Sequence, residues 1–230
     1  MRSDLTTIPL EEIFEPKDGC PICRLYAMLE ERTVDYITGA AMMEPDVRIE
    51  TNKQGFCFHH FEKMLNKRNR LSVALMMESH LASIEKRVFK GLPKDNIKKG
   101  KAAKEALETC FICNHIETNM EQMLRNICVT WERDYDFRHL FAEQETLCLH
   151  HFADLTDAAS KTMSRRWKDE FCGEAASLSK KTLDTLQEDV SHFCKMFDYR
   201  NTGENADWGN SKDSLERSVH FLTGNIPNSK

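Results

Sequence analysis

The sequence predicts an all-α protein made of two duplicated helical units, each with a Cys₃His metal site, followed by a long C-terminal helix. Three observations support this fold class. Apolar residues recur at helical spacing, a set of motifs occurs twice, and helix breakers are scarce, with nine Gly and six Pro among 230 residues. Hydrophobic residues make up 40% and charged residues 30% of the chain, which is typical of a folded globular protein.

Apolar periodicity predicts the individual helices. In the first unit, residues 22–38 form one helix, and a second helical stretch runs from Phe61 to Gly91 with a break near Asn69. In the second unit, residues 111–131 repeat the first of these patterns. Each of the cysteine motifs described below is therefore expected to open a helix.

Composition predicts the domain boundaries. Residues 91–104 contain Gly, Pro, Asp, Asn and five Lys, which favours an exposed linker at 93–104. We therefore predict a first metal-binding unit at 1–92 and a second at 105–163. The remaining residues, 164–230, form a C-terminal helical segment with one long helix and, near its end, a short amphipathic helix at Ser214–Thr223.

Charge and hydropathy exclude several classes of partner. The net charge of −5 gives no overall basic field for nucleic acid, and no apolar run approaches the roughly 18 residues that span a bilayer. Acidic residues interrupt the first 15 positions, so we expect no secretory signal and a cytoplasmic protein. In a reducing compartment the nine cysteines are first read as metal ligands, redox groups or buried side chains.

Self-comparison reveals a tandem duplication. Three motif pairs recur in order: Cys20-Pro-Ile-Cys23 with Cys110-Phe-Ile-Cys113, Asp46-Val-Arg48 with Asp136-Phe-Arg138, and Cys57-Phe-His59-His60-Phe61 with Cys148-Leu-His150-His151-Phe152. The first two pairs are offset by 90 residues and the third by 91. Ordinary core packing gives no reason for C-x-x-C and C-x-x-H motifs to repeat in step, so the pattern favours metal sites.

Three thiolates and one imidazole form a closed shell of the kind that structural Zn²⁺ sites use. We assign Cys20, Cys23, Cys57 and His60 to a first site, and Cys110, Cys113, Cys148 and His151 to a second. His59 and His150 are rival ligands. Because residues three apart lie near one face of a helix, His60 and His151 are preferred.

Two other chemistries of these motifs stay open. Three cysteines and a histidine can also hold an iron–sulfur cluster, and a C-x-x-C pair can carry out dithiol exchange, although that motif normally follows a strand. Cys128 lies in an apolar helical run, which predicts a core position. The repeated Asp-x-Arg pair predicts a helix cap or a bridge back to the metal motifs.

The motifs resemble those of an uncharacterised bacterial family, common in anaerobic Gram-positive species and known as a domain of unknown function. The resemblance rests on the run from Met43 to Cys57 with His60-Phe61 and Asn69-Arg-Leu71, and on Phe197-Asp-Tyr-Arg-Asn201 and Trp208-Gly-Asn-Ser-Lys-Asp213. It implies a helical fold with two C-P-x-C and C-x-x-H units, the second of which has Phe111 in place of Pro. It implies no activity.

The sequence predicts a zinc-binding protein with two structural sites that acts as a binding or assembly module for a protein partner. Phosphate-binding, metalloprotease and serine-nucleophile motifs are absent, so an enzyme is not favoured. The alternative is an iron–sulfur or thiol-based redox protein or sensor. The oligomeric state does not follow from the sequence.

Overall fold

The computed structural model describes residues 9–91, 94, 96–198 and 207–224, and this part of the chain is helical and contains no strand. The α-helices are α1 Leu10–Phe14, α2 Pro21–Thr38, α3 Pro45–Gln54, α4 Phe58–Asn66, α5 Arg70–Ile84, α6 Asn96–Leu107, α7 Phe111–Arg133, α8 Tyr135–Ala142, α9 Leu149–Thr162, α10 Arg165–Met196 and α11 Ser214–Thr223. A π-helical turn, Glu85–Phe89, extends α5. The predicted all-α class and the long C-terminal helix, α10, are confirmed.

Contacts divide the chain into two compact units whose limits fall inside helices. Unit 1 is Ala27–Asn119, and unit 2 combines residues 9–26 with the described residues from Met120 onward. The boundaries predicted from composition follow the order of the chain, whereas the contacts do not. The beginning of the first copy belongs to unit 2, and the beginning of the second copy belongs to unit 1.

Helix α6 occupies most of the stretch predicted to be a linker, 93–104. The Ala and Lys residues of α6 have high helix propensity. The prediction of a linker gave more weight to Gly100 and to the high charge of the segment. Ala106 is 5% exposed, and α6 packs against α3 and the π-helical turn. The segment is therefore a packed part of unit 1.

Unit 1 is built around the packing of α3 and α4 on α5. Its core includes the buried side chains of Leu29, Val34, Ile37, Met64, Val73 and Met76. The predicted break near Asn69 is the start of α5, where the Asn69 side chain accepts a hydrogen bond of 3.3 Å from the Ser72 N–H. This side chain thus caps one of the N–H groups that a helix start leaves unpaired.

Unit 2 packs α9, α10 and α11 together, while α1 lies against α8. Its core is aromatic, with Phe14, Trp131, Phe137, Phe141 and Phe171 all buried. Because a buried indole N–H needs an acceptor, Trp131 donates to Glu174, at 2.9 Å. The short helix predicted at the end of the segment is α11.

The Asp-x-Arg motifs join helices through their arginines. Arg48 donates to the Leu75 carbonyl oxygen at 2.7 Å, and Arg138 donates to the Trp131 carbonyl oxygen at 2.7 Å. Neither aspartate of the motifs is an N-cap; α8 is capped by Asp134 instead. The predicted roles of helix cap and bridge to the metal motifs are therefore wrong. The arginines instead hydrogen-bond to backbone carbonyl oxygens of neighbouring helices.

Among the described residues, no helix combines the length and the apolar character that crossing a bilayer requires. Of the family-like C-terminal motifs, residues 199–201 lie outside the described part of the chain.

Candidate metal centres

The eight predicted ligands form two groups, each of three cysteines and one histidine. Cluster 1 consists of Cys57, His60, Cys110 and Cys113, and cluster 2 consists of Cys20, Cys23, Cys148 and His151. The grouping that we predicted within each copy is wrong. Each cluster combines the C-x-x-C of one copy with the C-x-x-H of the other.

The exchange of motifs follows from the way the helices are distributed. The start of α2, with its C-x-x-C, belongs to unit 2, where the C-x-x-H of the second copy also lies. The start of α7 belongs to unit 1 together with the C-x-x-H of the first copy. Each cluster is therefore complete within one unit.

In cluster 1 the imidazole lies among the three sulfurs. The Nδ1 atom of His60 is 3.2 Å from the sulfur of Cys57, 3.3 Å from that of Cys110 and 3.3 Å from that of Cys113. The Cys57 and Cys113 sulfurs are 3.9 Å apart. The His60 ring is buried, whereas Cys113 reaches the surface.

The two loops that carry cluster 1 are joined by backbone. The Phe111 N–H, at the start of α7, donates to the Gly55 carbonyl oxygen at 2.9 Å. Gly55 ends α3, two residues before Cys57. Its φ of 66° is a backbone conformation that residues with a Cβ atom rarely adopt. The turn thereby brings the first residues of α4 beside the first residues of α7.

Cluster 2 has the same arrangement and is more deeply buried. The Nδ1 atom of His151 is 3.1 Å from the sulfur of Cys148, 3.4 Å from that of Cys23 and 3.7 Å from that of Cys20. The Cys23 and Cys148 sulfurs are 3.8 Å apart. The end of α11 covers this cluster, since the Gly224 carbonyl oxygen lies 3.2 Å from the Cys23 sulfur.

These distances fit one tetrahedral ion in each cluster. With Zn–S bonds of about 2.3 Å and a Zn–N bond of about 2.0 Å, a tetrahedron has sulfur–sulfur edges of about 3.8 Å and sulfur–nitrogen edges of about 3.5 Å. All these cysteines are free thiols, and the separations of 3.8 and 3.9 Å exceed the roughly 2.05 Å of a disulfide. Each cluster could therefore hold a metal ion, with Nδ1 as the imidazole ligand.

A buried carboxylate supports the imidazole of cluster 1. Glu30, on α2, accepts a hydrogen bond from the Nε2 of His60 at 3.2 Å and another from the Nε2 of His59 at 2.8 Å. Lys63 forms an ion pair with the same carboxylate. Burial alone would raise the pKa of Glu30, but these three partners outweigh it and lower the pKa to about 2.

In cluster 2 the corresponding imidazole edge has no such support. The Nε2 atom of His151 is buried and has no hydrogen-bond partner among the described residues. At the repeat offset of 90, the position of Glu30 is occupied by Met120. The neighbouring His150 instead pairs with Asp154 on its own helix, at 3.4 Å.

The close packing of ligands shifts their proton affinities. Hydrogen bonding from Cys113 and His60 outweighs burial and lowers the pKa of Cys110 to about 3. Burial opposes the shift at His60, but the Cys110 sulfur and Glu30 raise its pKa to about 10. Burial also opposes the shift at His151, but the sulfurs of Cys148 and Cys20 outweigh burial and raise the pKa of His151 to about 9. Each cluster thus attracts positive charge, which a bound cation supplies when it displaces the shared protons.

The structure also places the residues that competed for these roles. His59 and His150, the rival ligands, have Nε2 contacts to carboxylates, while His60 and His151 lie beside the sulfurs. Cys128 is fully buried, and burial raises its pKa to about 12, in agreement with the predicted core position.

Sequence reasoning missed Glu30 and Gly224. Glu30 was detectable as a mismatch, because the repeat places an acid opposite Met120 in helices that otherwise correspond. Gly224 lies outside the duplication and had no motif to mark it.

Fold and clusters together define a class: an all-α chain with two Cys₃His groups that could each hold a metal ion. The chain belongs to the Family of unknown function (DUF6062), which matches residues 1–229. The expected membership of an uncharacterised family is thereby confirmed. No curated protein matches the chain, and no solved structure matches it.

Proposed function

We propose that this chain is a zinc-binding helical protein whose two metal ions are structural and whose helices serve binding or assembly. The proposal rests on the two groups of three sulfurs and one nitrogen, whose spacing corresponds to the edges of a zinc tetrahedron. Four protein ligands complete that shell and leave no position for a reacting water. A structural role is therefore favoured over a catalytic one.

The spacing of the sulfurs also favours one ion over an iron–sulfur cluster. In an iron–sulfur cluster the protein ligands are shared among irons that are separated by sulfides, so the four ligand atoms spread further apart than around one ion. All four ligand atoms of each group lie within 4.8 Å of one another, which supports a single-ion site in each unit. The redox alternative is tested by the same metal analysis that tests zinc.

The clusters connect helix starts that are distant in sequence. Cluster 1 joins the starts of α4 and α7, and cluster 2 joins the starts of α2 and α9. Because the ligands must be deprotonated and brought together to bind, the free energy of zinc binding contributes to folding. We expect metal removal to reduce helix content, whereas a metal-delivery protein would release its ion and stay folded.

We place this function in the cytoplasm, where a reducing environment keeps the thiols available for metal. No nucleic acid or membrane is proposed as a partner, in keeping with the net charge of −5.

Elemental analysis of protein purified without added metal tests the proposal. The expected result is two zinc ions per chain for the native protein and one for each of the variants Cys57→Ala and Cys148→Ala, with a colourless solution. Iron and sulfide with visible absorption would overturn the zinc assignment in favour of the redox alternative. Metal-free protein with native helix content would overturn the structural role.

A further inference from the structure

Unit 1 carries an open apolar groove whose lining includes no residue of its metal cluster. The groove has a volume of about 400 Å³. Its walls include Met77, Leu81 and Ile84 on α5 and Ala103, Ala106 and Leu107 on α6. The π-helical turn contributes Val88 and Phe89 to its end.

The rim of the groove is also apolar and faces solvent. Leu81 is 67% exposed, Leu107 82% and Phe89 49%. A small ligand in the groove would leave these rim side chains in water. A protein surface that covers the groove and its rim would bury them, which favours a macromolecular occupant.

One side of the groove is strongly basic. The π-helical turn and α6 together contain six Lys and Arg and two Glu, a net charge of +4, although the whole chain has a net charge of −5. Lys99 lines a second cavity, of about 240 Å³, which shares Val88, Phe89 and Ala103 with the groove. The apolar floor therefore continues directly into a cationic border.

We propose that this groove docks an acidic amphipathic helix of a partner protein. Apolar side chains at i, i+4 and i+7 would fill the groove, and carboxylates along one flank would face the cations of the π-helical turn and α6. Charge complementarity selects this occupant, because a basic or neutral helix would gain no attraction at the cationic border. The inference rests on the proposed binding function and names the chemistry of its partner.

Selection from a displayed library of helix-stabilised random peptides, with the zinc-loaded full chain as bait, tests the proposal. We expect the enriched peptides to carry apolar residues at helical spacing together with Asp and Glu, and to bind in fluorescence anisotropy. Their affinity should fall at least tenfold for Leu81→Glu and for Leu107→Glu. Exchanging the peptide carboxylates for lysines should weaken binding by a similar factor.

Leu71→Glu is the matched control. Leu71 lies on α5 like Leu81 and is 68% exposed, but it does not line the groove, so peptide binding should be unchanged. No enrichment, enrichment of non-acidic peptides, or unchanged binding to both groove variants would overturn the proposal. So would self-association of the chain that Leu81→Glu abolishes, because a second copy would then be the occupant.

Zinc content separates this test from that of the metal sites. All three variants should retain two zinc ions, since none of the substituted side chains belongs to a cluster. Loss of peptide binding with both zinc ions present concerns the groove alone. A native chain without zinc would contradict the proposed function whatever the peptides do.

Discussion

Cluster 1 and cluster 2 each contain three cysteines and one histidine, and they differ in the groups that contact the imidazole. The His60 ring of cluster 1 donates to the buried Glu30, which also binds His59 and Lys63. The His151 ring of cluster 2 has a buried Nε2 with no partner among the described residues. The two clusters thus contain the same side-chain types, whereas the groups around their imidazoles differ.

This difference has an energetic consequence. A carboxylate on the far nitrogen orients a ligating histidine and increases its basicity, and the loss of such a group typically costs about 10–100-fold in metal affinity. A buried N–H without an acceptor costs about 1–3 kcal/mol. We therefore expect cluster 1 to retain its ion more tightly than cluster 2.

The largest expected effect is the loss of zinc from double variants, which tests whether the ligands group as in the two clusters or within each copy of the motifs. Cys20→Ser with Cys148→Ser removes two ligands of cluster 2, so we expect one zinc ion to remain. Cys20→Ser with Cys57→Ser removes one ligand from each cluster, so we expect none to remain after dialysis against a mild chelator. Elemental analysis measures both double variants, and the reverse outcome would show that ligands group within each copy.

The order of zinc release is the next test. A competing chelator at increasing concentration should remove the ion of cluster 2 before that of cluster 1, with dissociation constants separated by about 10–100-fold. Cys57→Ala and Cys148→Ala each leave one cluster intact and so assign the two steps. A single step with equal affinity would mean that Glu30 contributes nothing to retention.

Glu30→Met gives cluster 1 the residue that the second copy has at the equivalent position. The substitution removes the acceptor of His60 and the partner of Lys63, so we expect cluster 1 to lose about 10–100-fold in zinc affinity. Chelator titration of Glu30→Met in a Cys148→Ala background measures this directly. Glu31→Gln is the control, because Glu31 is exposed and pairs with Lys67 instead.

The sequence predicts the eight residues that form the two clusters, whereas it does not predict their grouping. Thiolate and imidazole spacing identifies the eight residues, because C-x-x-C and C-x-x-H at helix starts can each supply two ligands to an ion. Either C-x-x-H motif can complete either C-x-x-C, and the sequence separations of the two arrangements are both compatible with a helical chain. Tertiary packing decides between the two arrangements, because the start of α2 belongs to unit 2 and the start of α7 belongs to unit 1.

The helices were predicted where an apolar face is long and were missed where it is short. Helix α10 has buried residues from Phe171 to Leu186 at helical spacing, which gives a strong signal. Helix α6 buries only Ala106, so its lysines and Gly100 indicated a linker. A helix of this kind is stabilised by its contacts with α3 and the π-helical turn, which no local pattern reveals.

A prediction about stability concerns the turn that leads into cluster 1. Gly55 has a φ of 66°, and a Cβ at this position would lie 3.0 Å from Cε1 of His80. His80 is held by the Asn52 carbonyl oxygen at 3.2 Å, so it has little freedom to move away. Because its ψ is −160°, Gly55 lies in a backbone region that is essentially confined to glycine, and we expect Gly55→Ala to lower the free energy of unfolding of the zinc-loaded protein by about 2–3 kcal/mol.

Gly91→Ala measures the cost of a positive φ where no neighbouring atom meets the new Cβ. Gly91 has a φ of 74° but a Cβ there would meet no atom within 4 Å, so only the backbone strain of about 1–2 kcal/mol applies. Thr146 occupies the position equivalent to Gly55 in the second copy, and Thr146→Ala should change stability by less than about 0.5 kcal/mol. Denaturant unfolding of the three variants compares them. Equal losses for Gly55→Ala and Gly91→Ala would show that His80 yields, and that the approach to cluster 1 is not fixed by this contact.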